Sequence, residues 1–177
     1  PEIAGVDTER GGITVNEYLQ TTNPKIYAGG DCTATDGYLL SPVAFMEGYI
    51  AASNMLDGNS KKPDYKNTGT VMFNVPSLAA IGYTEPLARL AGLDFRVNFQ
   101  RTDHWFTSFR VIEKFSAYKV LIENETNKIL GAHIIGPLSE DIINMFVIAM
   151  NKEMTAGEMK KMIYAYPTAT SDIIHML

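Results

Sequence analysis

Two short stretches in the first third of this 177-residue chain carry residue types that could bind a ligand. The first is Gly29-Gly30-Asp31, which follows the apolar run Ile26-Tyr27-Ala28. Glycine lets a backbone pass close to a bound molecule, and the Asp31 carboxylate can accept a hydrogen bond from a hydroxyl group. The second is Leu40-Ser41-Pro42-Val43-Ala44, where proline suits the first turn of a helix. Taken singly, the first is also compatible with an ordinary tight turn and the second with an ordinary helix start.

A helix that begins at this second stretch would offer ligand chemistry of its own. Its first turn has unpaired N–H groups and about half a positive charge, which suits a negatively charged group on a ligand. The apolar residues Val43, Met46, Ile50 and Met55 recur at helical spacing. This spacing predicts the buried face of a helix that stops at Gly58.

Near the other end of the chain, the run Tyr166-Pro167-Thr168-Ala169-Thr170-Ser171-Asp172 contains a phenol and a carboxylate. A phenol has an ordinary pKa of about 10, so it can donate a hydrogen bond but is a poor base near neutral pH. Tyr166 can therefore be interpreted as a proton donor or substrate-positioning group. The alternative is an aromatic packing contact at the end of a helix.

The elements that would position these groups fall into two parts. The first part opens with two predicted short strands, at 13–15 and 25–28, before the predicted helix. The polar, proline-bearing segment Asn59-Ser60-Lys61-Lys62-Pro63-Asp64 is the best candidate for a boundary. We therefore place the two units at 1–62 and 63–177.

The second part reads as strands with one helix inserted, followed by helices. Strands are predicted at 70–73, 79–83, 95–99, 117–123 and 129–135, the last two joined as an antiparallel hairpin by Asn124-Glu125-Thr126-Asn127. Helices are predicted from Thr84 to Gly92, from Ser139 onward, and from Thr155 to Tyr164. This order is the α+β pattern of an antiparallel sheet with helices packed on it.

Composition argues against several classes of partner. The net charge is -5 and the basic residues are scattered, which argues against nucleic acid. No stretch reaches about 18 uninterrupted apolar residues, which argues against a membrane partner. The three histidines lack metal-ligand spacing, so we expect no metal site. The start, Pro1-Glu2-Ile3, has neither an initiator Met nor a signal pattern, so we expect an internal cut. A single cysteine gives no secreted-type disulfide framework, so we expect a cytoplasmic origin.

The chain has a single cysteine, Cys32. One thiol can form neither an intrachain disulfide nor a dithiol redox centre. We expect Cys32 to be a small buried packing residue, with a reactive thiol as the alternative.

In order and spacing, the first two stretches resemble the flavin-binding part of the pyridine nucleotide-disulfide oxidoreductase family. This family includes glutathione reductase, dihydrolipoamide dehydrogenase and mercuric reductase. The run from Thr21 to Asp31 resembles its second flavin-binding motif. The resemblance implies that Gly30 and Asp31 lie against the ribityl chain of FAD. It also implies that a helix start lies beneath the flavin ring, formed by Ser41, Pro42, Val43 and Ala44.

Two later stretches extend the resemblance over nearly the whole chain. Ala80-Ile81-Gly82-Tyr83-Thr84-Glu85 resembles the family's V-G-x-T-E turn, and Lys128-Ile129-Leu130-Gly131-Ala132-His133 resembles its I-L-G-x-H strand. The resemblance implies that 63–177 is the dimerisation domain, through which two copies form a homodimer. It implies that 1–62 is the remnant of an FAD-binding α/β domain.

The C-terminal run departs from the better-known members. They carry H-P-T-x-x-E, in which histidine is the acid-base group and glutamate orients it. Here Tyr166 stands in the histidine place, Ser171 in the glutamate place, and Asp172 one residue later. The resemblance therefore makes Tyr166 and Asp172 the candidate catalytic residues, and the departure puts glutathione and lipoamide in doubt as substrates.

Two parts of the family's chemistry have no counterpart in the sequence: the dinucleotide turn G-x-G-x-x-G and the paired redox cysteines. We therefore expect this chain alone to show no turnover and weak or no FAD retention. For a longer parent, the resemblance implies FAD-dependent electron transfer from NADH or NADPH to a disulfide or related small-molecule acceptor. The alternative is a self-associating binding module with no redox role.

Overall fold

The computed structural model describes residues 2–177 and divides the chain into two compact units. The first unit ends at Lys66, and the second is Asn67–Leu177. Residues after the predicted linker still pack with the first unit, since the Tyr65 hydroxyl donates a hydrogen bond to Glu47 at 2.6 Å. The functional division at 62/63 stays a prediction.

The first unit is built mostly from turns and one long helix. It contains a 3-10 turn at Glu2–Ala4, strands β1 (Thr8–Glu9) and β2 (Gly12–Ile13), and helix α1 (Ser41–Asp57). The prediction of a strand at 25–28 was wrong, and the strand predicted at 13–15 keeps only its first residue in β2. The backbone of Ile26 bonds locally instead: its N–H donates to Asn23 and its carbonyl accepts from Thr21, both at 2.9 Å.

Helix α1 begins and ends where its sequence predicts, and Gly58 follows it with a φ of 81°. Its buried face differs from the prediction: Met55 lies outside it, and the polar residues Glu47 and Asn54 lie inside it. Met55 is 60% exposed, so its assignment to the buried face was wrong. Asn54 is buried because all its polar atoms are paired: its Nδ2 donates to the carbonyls of Tyr18 and Lys61, and its Oδ1 accepts from the N–H groups of Ser60 and Lys61.

The second unit is an antiparallel sheet of five strands with helices against it, as predicted. The strands are β3 (Thr70–Met72), β4 (Leu78–Gly82), β5 (Phe95–Arg101), β6 (Ala117–Glu123) and β7 (Ile129–Ile135). Their order in the sheet is β3-β4-β7-β6-β5, with β7 in the middle. The helices are α2 (Glu85–Leu90), α3 (Phe106–Phe109), α4 (Ser139–Asn151), α5 (Ala156–Lys160) and α6 (Ile173–Met176), with a 3-10 turn at Ala169–Asp172.

The core of this unit lies between the sheet and α4. Phe146 is fully buried and shares one apolar cluster with Val120 of β6 and Ala132 of β7. Helix α5 ends at Lys160, so the predicted extension to Tyr164 was wrong. After α5 the backbone forms a 3-10-type turn, in which the N–H groups of Lys161 and Met162 donate to carbonyls three residues earlier.

Two glycines let β4 and β7 approach each other closely. Gly82 and Gly131 are directly paired across the two strands. A Cβ atom on Gly131 would overlap the carbonyl oxygen of Tyr83, and one on Gly82 would overlap the carbonyl oxygen of Leu130. Gly82 also has a φ of 73°, which disfavours any other residue. These glycines are the ones in the two later sequence motifs.

Candidate functional site

The glycine turn lies directly on helix α1. A Cβ atom added to Gly29 would lie 3.1 Å from the Cβ of Glu47, and one added to Gly30 would lie 3.3 Å from the Cβ of Ala44. Gly30 has a φ of 83°, in the region that glycine alone adopts readily. The turn that carries Asp31 and the start of α1 are therefore neighbours.

The N-terminal end of α1 is open and carries no compensating charge. Its N-cap residue, Leu40, makes no side-chain capping bond, and the first turn contains no acidic residue. Ser41 and Pro42 are exposed, while Val43 is buried and Ala44 half-buried. A 17-residue helix with such an end attracts negative charge.

Asp31 is exposed beside this helix end. Within residues 2–177, its carboxylate takes part in none of the hydrogen bonds or ion pairs of the structure. A free carboxylate next to a glycine turn with no room for side chains fits a ligand that brings hydroxyl groups. The carboxylate acceptor and the side-chain-free turn therefore fit the hydroxyl-bearing ribityl part of a flavin.

Glu47 of α1 is a buried carboxyl residue beside the glycine turn that the sequence pattern does not single out. Its side chain is 1% exposed and accepts three hydrogen bonds, from the Gly30 N–H at 2.5 Å, the Thr35 hydroxyl at 2.9 Å and the Tyr65 hydroxyl at 2.6 Å. Helical spacing could have predicted its burial, since Glu47 lies four residues after Val43 and three before Ile50 on the predicted buried face of the helix.

Cys32 follows this turn and is exposed, so the prediction of a buried packing residue was wrong. The residue lies in a turn held by backbone bonds: its carbonyl accepts from the Ile13 N–H at 2.7 Å, and the Thr33 N–H donates to the Gly30 carbonyl at 3.0 Å. The Cys32 thiol donates to the Gly29 carbonyl at 3.5 Å and stays exposed.

The second predicted group lies in the second unit, in a cleft of about 460 Å³. Tyr166 and Asp172 both line it, together with the aromatic rings of Trp105 and Phe106 and the imidazole of His175. Tyr166 is 84% exposed. The structure therefore brings the two candidate catalytic residues to one surface.

Asp172 is already engaged within that surface. Its carboxylate accepts a hydrogen bond from the Thr107 hydroxyl at 2.6 Å, which ties the C-terminal segment to α3. Ser171 forms a reciprocal cap with Thr168, donating to its carbonyl at 2.6 Å and accepting from its N–H at 3.2 Å. In the described part of the chain, neither Asp172 nor Ser171 forms a hydrogen bond with Tyr166.

Residues 2–177 contain neither a metal-type side-chain cluster nor a membrane-spanning helix. No group of three or more His, Cys, Asp or Glu side chains there could hold a metal ion. Within the same residues, no helix has both the length and the apolar character required to cross a membrane.

Two family models match the chain. The model for the pyridine nucleotide-disulphide oxidoreductase dimerisation domain matches residues 68–177, and the model for pyridine nucleotide-disulphide oxidoreductase matches residues 2–48. The first match covers the whole five-stranded sheet. The second ends within α1 and includes the glycine turn.

Curated relatives fall into two groups by length. An uncharacterized 19.7 kDa protein in a mercuric resistance operon of Staphylococcus aureus is 43% identical, over 99% of this chain and 98% of its own length. The mercuric reductase of Staphylococcus aureus is 33% identical over 94% of this chain, and the dihydrolipoyl dehydrogenase of Bacillus subtilis is 36% identical over 98% of it. This chain spans only 30% and 37% of those two proteins.

Among solved structures, the HOCl-induced flavoprotein disulfide reductase RclA from Escherichia coli matches with a TM-score of 0.90 and 26% identity. The match covers 99% of this chain and 40% of RclA. Taken with the two family models, it shows that both units adopt the folds of this family. The chain belongs to the pyridine nucleotide-disulphide oxidoreductase family and includes its dimerisation domain.

Proposed function

We propose that this chain is the C-terminal part of an FAD-dependent NAD(P)H:disulfide oxidoreductase of the cytoplasm. Residues 1–62 contribute part of the FAD site, and residues 63–177 mediate homodimerisation. The observation that carries the proposal is the glycine turn with its unpaired Asp31, packed against the uncapped end of α1. Longer relatives such as the mercuric reductase of Staphylococcus aureus are similar to this chain over 94% of its length.

The roles of individual residues in holding FAD follow from their chemistry. The Gly30 backbone leaves room for the cofactor, and the Asp31 carboxylate accepts a hydrogen bond from a ribityl hydroxyl. Ser41, Pro42, Val43 and Ala44 form the helix end that favours negative charge on the flavin ring. Bound FAD supplies the two-electron chemistry between NAD(P)H and the acceptor.

Tyr166 is proposed to donate a hydrogen bond to the acceptor or to position it. Its exposure and its place in the aromatic cleft support this role, because a phenol there is open to a ligand. Asp172 has a positioning role: the hydrogen bond that it accepts from Thr107 holds the segment that carries Tyr166 in place. Neither residue replaces the proton-accepting capacity of an imidazole.

Flavin absorbance tests the proposal directly. The purified chain, mixed with FAD and desalted, is expected to show no stoichiometric flavin band, because its sequence lacks the dinucleotide turn G-x-G-x-x-G. A chimera in which this chain replaces the matching portion of the Staphylococcus aureus mercuric reductase is expected to be yellow and to oxidise NAD(P)H. Asp31→Ala in the chimera should weaken FAD binding about tenfold or more, since it removes a charge-assisted hydrogen bond.

Asp57→Ala is the matched control, because Asp57 is exposed at the far end of α1. It should leave FAD binding unchanged. A folded chimera without flavin, or equal FAD affinity in the two variants, would contradict the assignment of the flavin site.

Exposed apolar side chains support the homodimer. The segment 106–115 carries five of them, with exposed fractions from 53% to 80%: Phe106, Phe109, Val111, Ile112 and Phe115. Large exposed apolar patches mark protein interfaces. We expect light scattering to give about twice the 19.6 kDa chain mass.

The double substitution Phe109→Ser and Phe115→Ser is expected to raise the dimer dissociation constant about 100-fold or more, because each buried phenylalanine contributes about 1.5–3 kcal/mol. Leu90→Ser is the control, since this exposed leucine lies in α2 and outside the segment. A wild-type chain that stays monomeric at micromolar concentration would rule out the homodimer.

A second candidate function is a self-associating module with no redox role. The 19.7 kDa relative favours it, because this chain matches 98% of a protein that is much shorter than the reductases. Two measurements together distinguish the candidate functions. If the chain is a dimer in solution but the folded chimera binds no flavin, the self-associating module is supported.

A further inference from the structure

Glu47 presents a question that the proposed function does not answer. Its carboxyl group is almost completely buried, and none of the ion pairs among residues 2–177 involves it. Burying a carboxylate is costly unless hydrogen bonds replace its water. An apolar side chain at this position on the buried face of α1 would avoid that cost.

The three hydrogen-bond donors to Glu47 show which parts of the chain its carboxylate connects. Oε2 accepts from the Gly30 N–H, next to Asp31, and Oε1 accepts from the Thr35 hydroxyl at the other end of the same loop. The loop is thus fastened at both ends to one side chain. Gly29 allows this closeness, since it has no side chain where it meets the Glu47 Cβ.

The third donor comes from outside the loop. Tyr65 lies just beyond the predicted linker and donates to the same Oε1 at 2.6 Å. Burial, with the hydrogen bond to Glu47 as the next cause, raises the pKa of Tyr65 to about 12. The phenol therefore stays protonated and remains a donor throughout the physiological pH range.

We infer that Glu47 is a positioning residue: its carboxylate, held by Tyr65, fixes the 30–35 loop and so presents Asp31 to the ligand. The identity of the ligand as FAD rests on the proposed function, while the fixing of the loop does not. Through Tyr65 and Glu47, the segment 63–66 is thereby linked by hydrogen bonds to the glycine turn.

The test uses the chain alone and follows its backbone amides by NMR. In Glu47→Gln, the Gly30 amide proton should move upfield and its hydrogen exchange should accelerate about tenfold or more, because a charge-assisted bond is lost. Tyr65→Phe should produce a smaller change in the same direction at Gly30. The matched control is Glu17→Gln, which breaks an exposed ion pair to Lys62 in the same unit and should leave Gly30 unchanged.

Outcomes at Gly30 decide the inference. An unaltered Gly30 amide in folded Glu47→Gln would overturn it. If Glu47→Gln does not fold, the response of Gly30 in Tyr65→Phe decides in the same way. The pKa of Tyr65, followed by its ring NMR signals, should also fall in Glu47→Gln, whereas a purely packing role for Glu47 would lower it little.

The chimera distinguishes this inference from the proposed function. If both hold, Glu47→Gln weakens FAD binding and Glu17→Gln does not. If Gly30 responds in the isolated chain but the folded chimera binds no FAD, the positioning role stands and the flavin assignment fails. If FAD binds but Gly30 is unaffected by Glu47→Gln, the positioning role fails alone.

Discussion

Phe146→Ala is expected to lower the free energy of unfolding of the second unit by about 3 to 5 kcal/mol. The ring is fully buried between α4 and the central strands of the sheet. Its removal forfeits the transfer free energy of the ring and leaves a cavity that the sheet cannot close. Urea denaturation followed by circular dichroism measures the difference.

Phe73→Ala is the matched control for that change. Phe73 lies in the same unit and is 83% exposed, so the same substitution should change the free energy of unfolding by no more than about 0.5 kcal/mol. Similar losses in the two variants would mean that α4 does not cover the sheet as described.

Gly131→Ala is expected to cost about 3 kcal/mol, because the added methyl group meets backbone that cannot rotate away. The Cβ atom would overlap the carbonyl of Tyr83, so β4 and β7 would have to separate where Gly82 and Gly131 are paired. Both thermal unfolding and amide exchange in β4 should report the loss.

Gly157→Ala provides the opposite expectation in the same unit. Gly157 is exposed in α5, and its added Cβ would come no closer than 4.0 Å to a neighbouring atom. Alanine favours a helix over glycine by about 1 kcal/mol, so this variant should be neutral or slightly more stable. A Gly131→Ala protein as stable as Gly157→Ala would refute the close approach of the two strands.

The fold of the second unit could be predicted well because its signals are local and repeated. Phe95, Val97 and Phe99 alternate with polar residues as a strand requires, and Asn124–Asn127 form the turn between β6 and β7. In α4 the apolar residues Ile142, Phe146 and Ala149 recur at helical spacing, and all three are buried.

The first unit was harder to predict because its backbone is organised by side-chain hydrogen bonds. Asn54 and Glu47 are polar, so an apolar pattern could not place them inside, and their burial depends on partners distant in sequence such as Tyr18 and Tyr65. The exposure of Cys32 was missed for a related reason, since this residue lies in a turn and not in a periodic element. The sequence does predict that the glycine turn and the start of α1 serve one site, and the two lie side by side.

The central place of β7 affects how the dimerisation unit is completed during synthesis. The β3-β4 and β5-β6 pairs touch the rest of the sheet only through β7, which is the last strand in the chain. Isolated two-stranded pairs are marginal by themselves, so we expect the nascent chain to hold only weak pairs until β7 has been made. The sheet can be completed only after that strand is present, and a chain stopped before Ile129 would lack the strand that joins its two halves.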